Sequence, residues 1–284
     1  MTSISLPLRP VGSSRRYDTV SLVIVGALLV LLAAGLAAPL LAPYDPNATD
    51  ILAANSAPSS AHWLGADDLG RDVLSRILYG TRLSLLGPAL IIAASTLAGV
   101  SIGIACAWLG GWFDTVVSRV MDFLFAFPGV LLAVLTVAAL DTGFVAPVIA
   151  LAVGYTPYLA RVVRTMAMRE RRLAYVEALH SSGLGGWAIS WRHLLPAVLP
   201  VLRVQGAIAF GSALVDLAAV SYIGLGVQPP DAEWGLMVSQ GQSALLNGSP
   251  WQSLSAGLLI VLVVVAVNTL GERATSASEK LRER

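Results

Sequence analysis

The sequence has 284 residues, of which 56% are hydrophobic and only 12% charged. An ordinary soluble domain carries about 25% charge, so the composition excludes a soluble enzyme, a disordered chain and a secreted disulfide scaffold. A formal net charge of +1 leaves no global field for nucleic acid.

Residues 1–19 form a leader with Arg9, Arg15 and Arg16. An uncharged run follows over 20–42, longer than the roughly 7–15 residues of a signal-peptide core, which predicts an uncleaved first span. An outer segment over 43–82 comes next. Within it Leu69, Val73, Ile77 and Leu78 repeat at helical spacing, so 68–82 reads as an interfacial helix or an ordinary connector helix before span two. Further runs suited to crossing a bilayer lie at 83–109, 123–140, 142–160, 204–227 and 250–271. Helices are the economical reading, because backbone groups in lipid must bond within their own segment. Gly99 and Gly103 form a small-xxx-small pair in span two, suited to close helix packing.

The charge distribution predicts orientation. Arg161, Arg164, Arg169, Arg171, Arg172, Arg192 and Arg203 fall between spans four and five, and Arg273, Lys280, Arg282 and Arg284 in the tail over 272–284. With six spans these share a side with the leader, which the positive-inside rule makes cytoplasmic. Both termini are then cytoplasmic. Arg71, Arg76 and Arg82 lie on the other side, near Asp67, Asp68 and Asp72 with which they can pair. The second outer segment, 226–249, holds Gln228 and Trp234. Tryptophans at span ends, Trp63, Trp234 and Trp251, read as interfacial anchors. The permease core so defined is 20–271.

The inner segment 161–203 predicts a helix over 169–182 ended by Gly183, and a second over 187–195 stopped by Pro196. Such a knob fits a groove on another protein or the anionic inner leaflet. Asp216, the only ionisable residue deep in a span, suits a substrate path or a structural hydrogen bond. Cys106 is the only cysteine. The three histidines are far apart, so neither a disulfide nor a metal site is expected. No catalytic constellation is present.

Glu177-Ala178-Leu179, Gly183 six residues after Glu177, and His193, Leu195 and Pro196, with Pro196 thirteen after Gly183, resemble the EAA loop of ABC importer permeases. Leu179 and His193 depart from its commonest form. The stretches from Ala38 to Pro46, from His62 to Arg76, and from Tyr222 to Pro230 followed by Trp234-Gly235 are similar to the C-type permease subunit of dipeptide, oligopeptide and nickel importers. The resemblance covers about 38–271. It implies an all-α polytopic membrane protein with the type I ABC importer permease fold, six transmembrane helices and a place in the bacterial cytoplasmic membrane.

It also implies partners: a homologous B-type permease, two ATPase subunits and an extracytoplasmic solute-binding protein. The chain has no phosphate-binding loop, so ATP and Mg²⁺ are expected on the ATPases, with no cofactor and no nucleic acid here. Glu177, Ala178, Leu179, Gly183, His193, Leu195 and Pro196 would form the coupling site, and Pro196 would set the angle into span five. Asp67, Asp68, Arg71, Gln228 and Trp234 are the residues expected to meet the binding protein. Peptides, nickel chelates, glutathione-like thiols and opines are all solutes of similar permeases. A stand-alone secondary transporter would instead show inverted repeats, and an intramembrane enzyme a nucleophile or paired acids; neither pattern is present.

Overall fold

The structure, a computed structural model, describes residues 19–282, with side chains through residue 274. Arg9, Arg15, Arg16 and Arg284 lie outside the described residues, as do the side chains of Lys280 and Arg282. The regular elements are helical: α1 Thr19–Leu36, α2 Ala38–Leu41, a 3₁₀ turn Ile51–Ala53, α3 Val73–Leu109, α4 Gly111–Ala126, α5 Gly129–Leu140, α6 Val145–Arg171, α7 Ala174–Ser181, α8 Gly186–Ile189, a π-type turn Ser190–Leu194, α9 Leu195–Tyr222, α10 Trp234–Gln240, α11 Gln242–Leu246 and α12 Trp251–Arg282. Five are long and apolar enough to cross a membrane, or six if the bent pair α4 and α5 counts as one.

Helix α3 is the spine. Its 37 residues extend about 55 Å at 1.5 Å per residue, well beyond the ~30 Å hydrocarbon core. This corrects the interfacial-helix expectation: 73–82 is the first part of α3, not a separate helix along the membrane. Most polar groups there are bonded internally, Arg76 Nε being the buried exception, so the helix runs on. Asp72 caps it, its Oδ2 accepting from the Ser75 amide at 2.8 Å and the Ser75 hydroxyl at 2.7 Å.

Gly99 and Gly103 bring α3 onto α6 within the chain. A Cβ on either would come within 3 Å of the Ala160 backbone, so the pair permits a contact that any larger residue blocks. Val100, Ile104, Leu159, Val163, Val198 and Leu202 fill the core beside it. At the other end of α3, Val73 and Ile77 pack with Leu214 of α9, Trp234 and Met237 of α10, and Val263 of α12. By contrast α1 buries only Gly35, which sits against Thr81. The rest of its apolar surface suits lipid.

Two spans differ from expectation. The third is not one helix over 123–140: it breaks at Phe127 and Pro128, and α4 meets α5 at 89°. Pro128 has no N–H to continue α4 and excludes helical geometry at Phe127, which is extended at ψ 128°. The fifth begins far earlier than 204, because Gly186–Tyr222 is one continuous apolar helix. Pro196 therefore does not stop the second inner helix. The Leu195 amide reaches back five residues to Ser190 O, and such a widened turn gives the following proline ring room that a regular turn lacks.

Candidate functional site

The inner knob is built on a small core of its own. Val176, Ile189 and Leu194 are buried, with Trp108, Leu179 and Leu184 packed on them. Each buried aliphatic is worth roughly 1.5–3 kcal/mol, enough to fix a helix of only eight residues that would not hold alone. Gly183, at φ +89°, ends α7 in a left-handed turn. Its amide donates to His180 O at 3.0 Å and the Leu184 amide to Leu179 O at 3.2 Å, closing the paired C-terminal bonds of a Schellman motif. Leu179 and Leu184 supply its apolar contact. Leu179 faces inward, which explains why a larger residue than alanine stands there.

Arg171 fastens the knob to α3. Its Nη1 donates to Ala107 O at 2.5 Å and Trp108 O at 2.7 Å, capping the end of that helix. The guanidinium lies 5.0 Å from the Trp108 ring centre. His180 stacks on that indole at 6.1 Å, and a Cβ on Gly186 would meet it at 2.1 Å. The neighbouring Tyr175 hydroxyl donates to Glu170 at 2.7 Å. Burial, helped by that carboxylate, pushes it up to about 12, so the donor stays protonated.

Glu177, Ala178 and Gly183 remain exposed on this rigid mount, beside an exposed apolar rim of Leu173, Tyr175, Trp187 and Trp191. His193 is half-buried, 6.4 Å from the Tyr175 ring. Leu195 packs into the α3–α6 core, and Pro196 is exposed. The seven residues therefore divide: Glu177, Ala178, Gly183 and Pro196 present themselves, while Leu179, His193 and Leu195 hold the mount. Trp108 and Arg171 are the members that spacing alone did not reveal. A tryptophan just before Gly110-Gly111 was the available signal.

The outer end is arranged oppositely. Asp67 takes the Arg71 Nε at 2.6 Å and amides of Leu69 and Arg71 at 2.9 Å. Arg76 lies 3.6 Å from the same carboxylate and donates to Pro46 O and Gln240 Oε1 at 3.2 Å, tying the two outer segments together. Among the described residues Arg82 pairs with no acid; it donates to Gly35 O at 2.7 Å and Leu36 O at 2.8 Å, capping α1. Asp67, Arg71 and Trp234 are buried, Trp234 at 0% exposure. Trp234 is therefore a core residue rather than an interfacial anchor. Glu233 caps α10, accepting from the amides of Gly235 at 3.0 Å and Leu236 at 2.9 Å, and so pins that tryptophan in the core. Asp68 is exposed and Gln228 half-buried. Ile51, Leu52 and Trp63 are the strongly exposed apolar residues of the first outer segment.

Within the spans, the Tyr155 hydroxyl donates to Asp216 Oδ2 at 2.8 Å, joining α6 to α9. The Tyr158 hydroxyl donates to Gln205 Oε1. Asp216 borders a cavity of about 370 Å³.

The comparisons agree with this architecture. A family described as binding-protein-dependent transport system inner membrane component matches residues 99–282. The glutathione transport system permease protein GsiD of Pectobacterium atrosepticum is 38% identical over 91% of this chain and 86% of its own. The dipeptide transport system permease protein DppC of Alkalihalophilus pseudofirmus is 34% identical over 88% and 83%. The probable D,D-dipeptide transport system permease protein DdpC of Escherichia coli is 37% identical over 82% and 78%. Among solved structures, the inward-facing MetNI methionine ABC transporter aligns with TM-score 0.57 and 20% identity, over 71% of this chain and 95% of that one, a likeness of fold. The chain thus belongs to the binding-protein-dependent transport system inner membrane component family, as a multi-pass permease subunit of an ABC importer in the bacterial plasma membrane.

Proposed function

We propose that this permease carries di- and oligopeptides into the cytoplasm and takes its driving force from separate ATPase subunits, docked on the knob around Glu177. The observation that carries the reading is the exposure of Glu177 and Ala178 on a short helix fixed by its own core and by Arg171. Ala178 is small enough for close approach, and Glu177 is an acid in a basic segment, suited to an arginine across an interface. Because Arg171 and Trp108 join the knob to α3, a push on α7 passes to the longest helix as one body. Spans would then rock between inward- and outward-facing states.

ATP and Mg²⁺ are assigned to the ATPases. A homologous permease would supply the other half of the pathway, and a solute-binding protein would dock on the outer end. The knob side is taken as cytoplasmic from its arginines. Peptide cargo is supported by relatives named for glutathione, dipeptide and D,D-dipeptide transport.

The test is uptake of labelled di- and tripeptides by cells carrying wild type, a deletion, or Glu177→Arg, with membrane levels checked. Wild-type uptake that falls to the deletion level in Glu177→Arg, at normal protein level, supports both parts. Full activity of Glu177→Arg overturns the coupling assignment. Equal uptake by wild type and deletion, with other peptide permeases removed, overturns the cargo.

A further inference from the structure

The cavity beside Asp216 is used by none of the coupling features. Its lining includes four aromatic rings, Phe125, Phe127, Tyr155 and Tyr158, and one charge, Asp216. Among the described residues no basic side chain lines it. Arg161 stacks over the Phe125 ring at 4.7 Å, but it is paired with Asp122 at 2.6 Å.

The carboxylate is aimed rather than buried in a pair. Tyr155 holds Oδ2, and Oδ1 has no protein donor among the described residues. Gly129 lines the same cavity and lies beside the carboxylate, where a Cβ would stand at ordinary contact distance, 3.8 Å, from Oδ2. The break at Pro128 places both phenylalanines at this opening. Aromatic faces and a half-satisfied carboxylate, in a space on the scale of small-molecule sites, attract a cation that also carries apolar groups. An acid at this depth is costly without such a role.

We propose that Asp216, oriented by Tyr155, receives the primary ammonium group of the solute as it crosses. The inference rests on the peptide reading, because an unmodified peptide carries that group at its amino terminus.

Two substitutions separate this role from a structural one. Asp216→Asn keeps an oxygen for the Tyr155 hydroxyl and removes the charge. Tyr155→Phe removes the hydrogen bond and keeps the charge. A purely structural bond between α6 and α9 is hurt more by Tyr155→Phe; an ammonium site is hurt more by Asp216→Asn. The measurement is initial uptake of labelled dialanine by cells expressing each variant, with membrane level and co-purification of the partner subunits as controls. The expected result is a loss of about tenfold or more for Asp216→Asn, a smaller loss for Tyr155→Phe, partial recovery in Asp216→Glu, and intact assembly throughout.

Normal uptake by Asp216→Asn overturns the proposal. So does equal or greater damage from Tyr155→Phe, or loss of a partner subunit from Asp216→Asn, which would mean that the carboxylate pairs across a subunit interface. If wild type itself takes up no dialanine or other di- and tripeptide beyond the deletion strain, the peptide reading fails and the ammonium site falls with it.

Discussion

The two ends of the helix bundle solve one problem in opposite ways. Each must hold irregular chain against long helices, and each uses an arginine to cap a helix end: Arg82 on α1 and Arg171 on α3. At the outer end the charges are then hidden. Asp67, Arg71 and Arg76 are buried together, and Trp234, the first residue of α10, is sealed in the core. At the knob the apolar residues are hidden and the acid is displayed, with Glu177 standing on a core of Val176, Ile189 and Leu194. The outer network is closed among the described residues except at Arg76 Nε, which is buried without a hydrogen-bond partner and lies 3.6 Å from Asp67. The knob presents an exposed acid and an exposed apolar rim, the surface that the proposed ATPase contact would use.

The difference can be broken most severely at Asp67. Asp67→Ala strands two buried guanidinium groups and is expected to cost about 3–5 kcal/mol, read as a large fall in membrane level and in the unfolding temperature of the purified complex. A loss within experimental scatter would mean that the outer ion pairs are not what fixes that end.

Gly186→Ala is next. Its new methyl would overlap the Trp108 indole, and overpacking of this kind costs about 1–3 kcal/mol. Limited proteolysis should show faster cleavage within 172–190. Adding Trp108→Ala should remove much of the Gly186→Ala penalty; a purely additive pair would contradict the clamp.

Gly183→Ala forces a Cβ into a left-handed turn, for about 1 kcal/mol. The effect should be confined to the knob, and Gly183→Asn should be milder. Glu177→Ala comes last, with stability of the chain changed by less than about 0.5 kcal/mol while peptide uptake is lost. Energy and function thus part company at the knob, whereas at Asp67 they fall together.

Much of this was legible in the sequence, for local reasons. Composition gives the membrane class because lipid demands apolar helices. The spacing from Glu177 through Gly183 to Pro196 stays readable because the knob is a local structure. What escaped depends on distance or on geometry that hydropathy does not sense. Pro128 lies in an apolar run, so the 89° break leaves no mark on a hydropathy profile. The start of α3 carries Arg76 and Arg82, whose partners lie 164 residues ahead at Gln240 and 47 behind at Gly35. Seen alone, those charges suggest a helix outside the membrane. Trp234 looks like any interfacial tryptophan until Ser84, 150 residues earlier, is seen to accept its backbone amide at 2.9 Å. Asp216 was visible as an intramembrane acid, but Tyr155, 61 residues away, was not.

The central claim is that the exposed face of α7 meets an ATPase subunit while the outer surface does not. Cysteine cross-linking in the assembled complex tests it most directly, with Ala178→Cys on the knob and Ser59→Cys on the outer segment. The native Cys106 is buried and gives little background. The account predicts an adduct between Ala178→Cys and the ATPase that changes in yield when ATP is added, and none from Ser59→Cys. An ATPase adduct at Ser59, or none at Ala178 in a complex that still imports peptide, would contradict it.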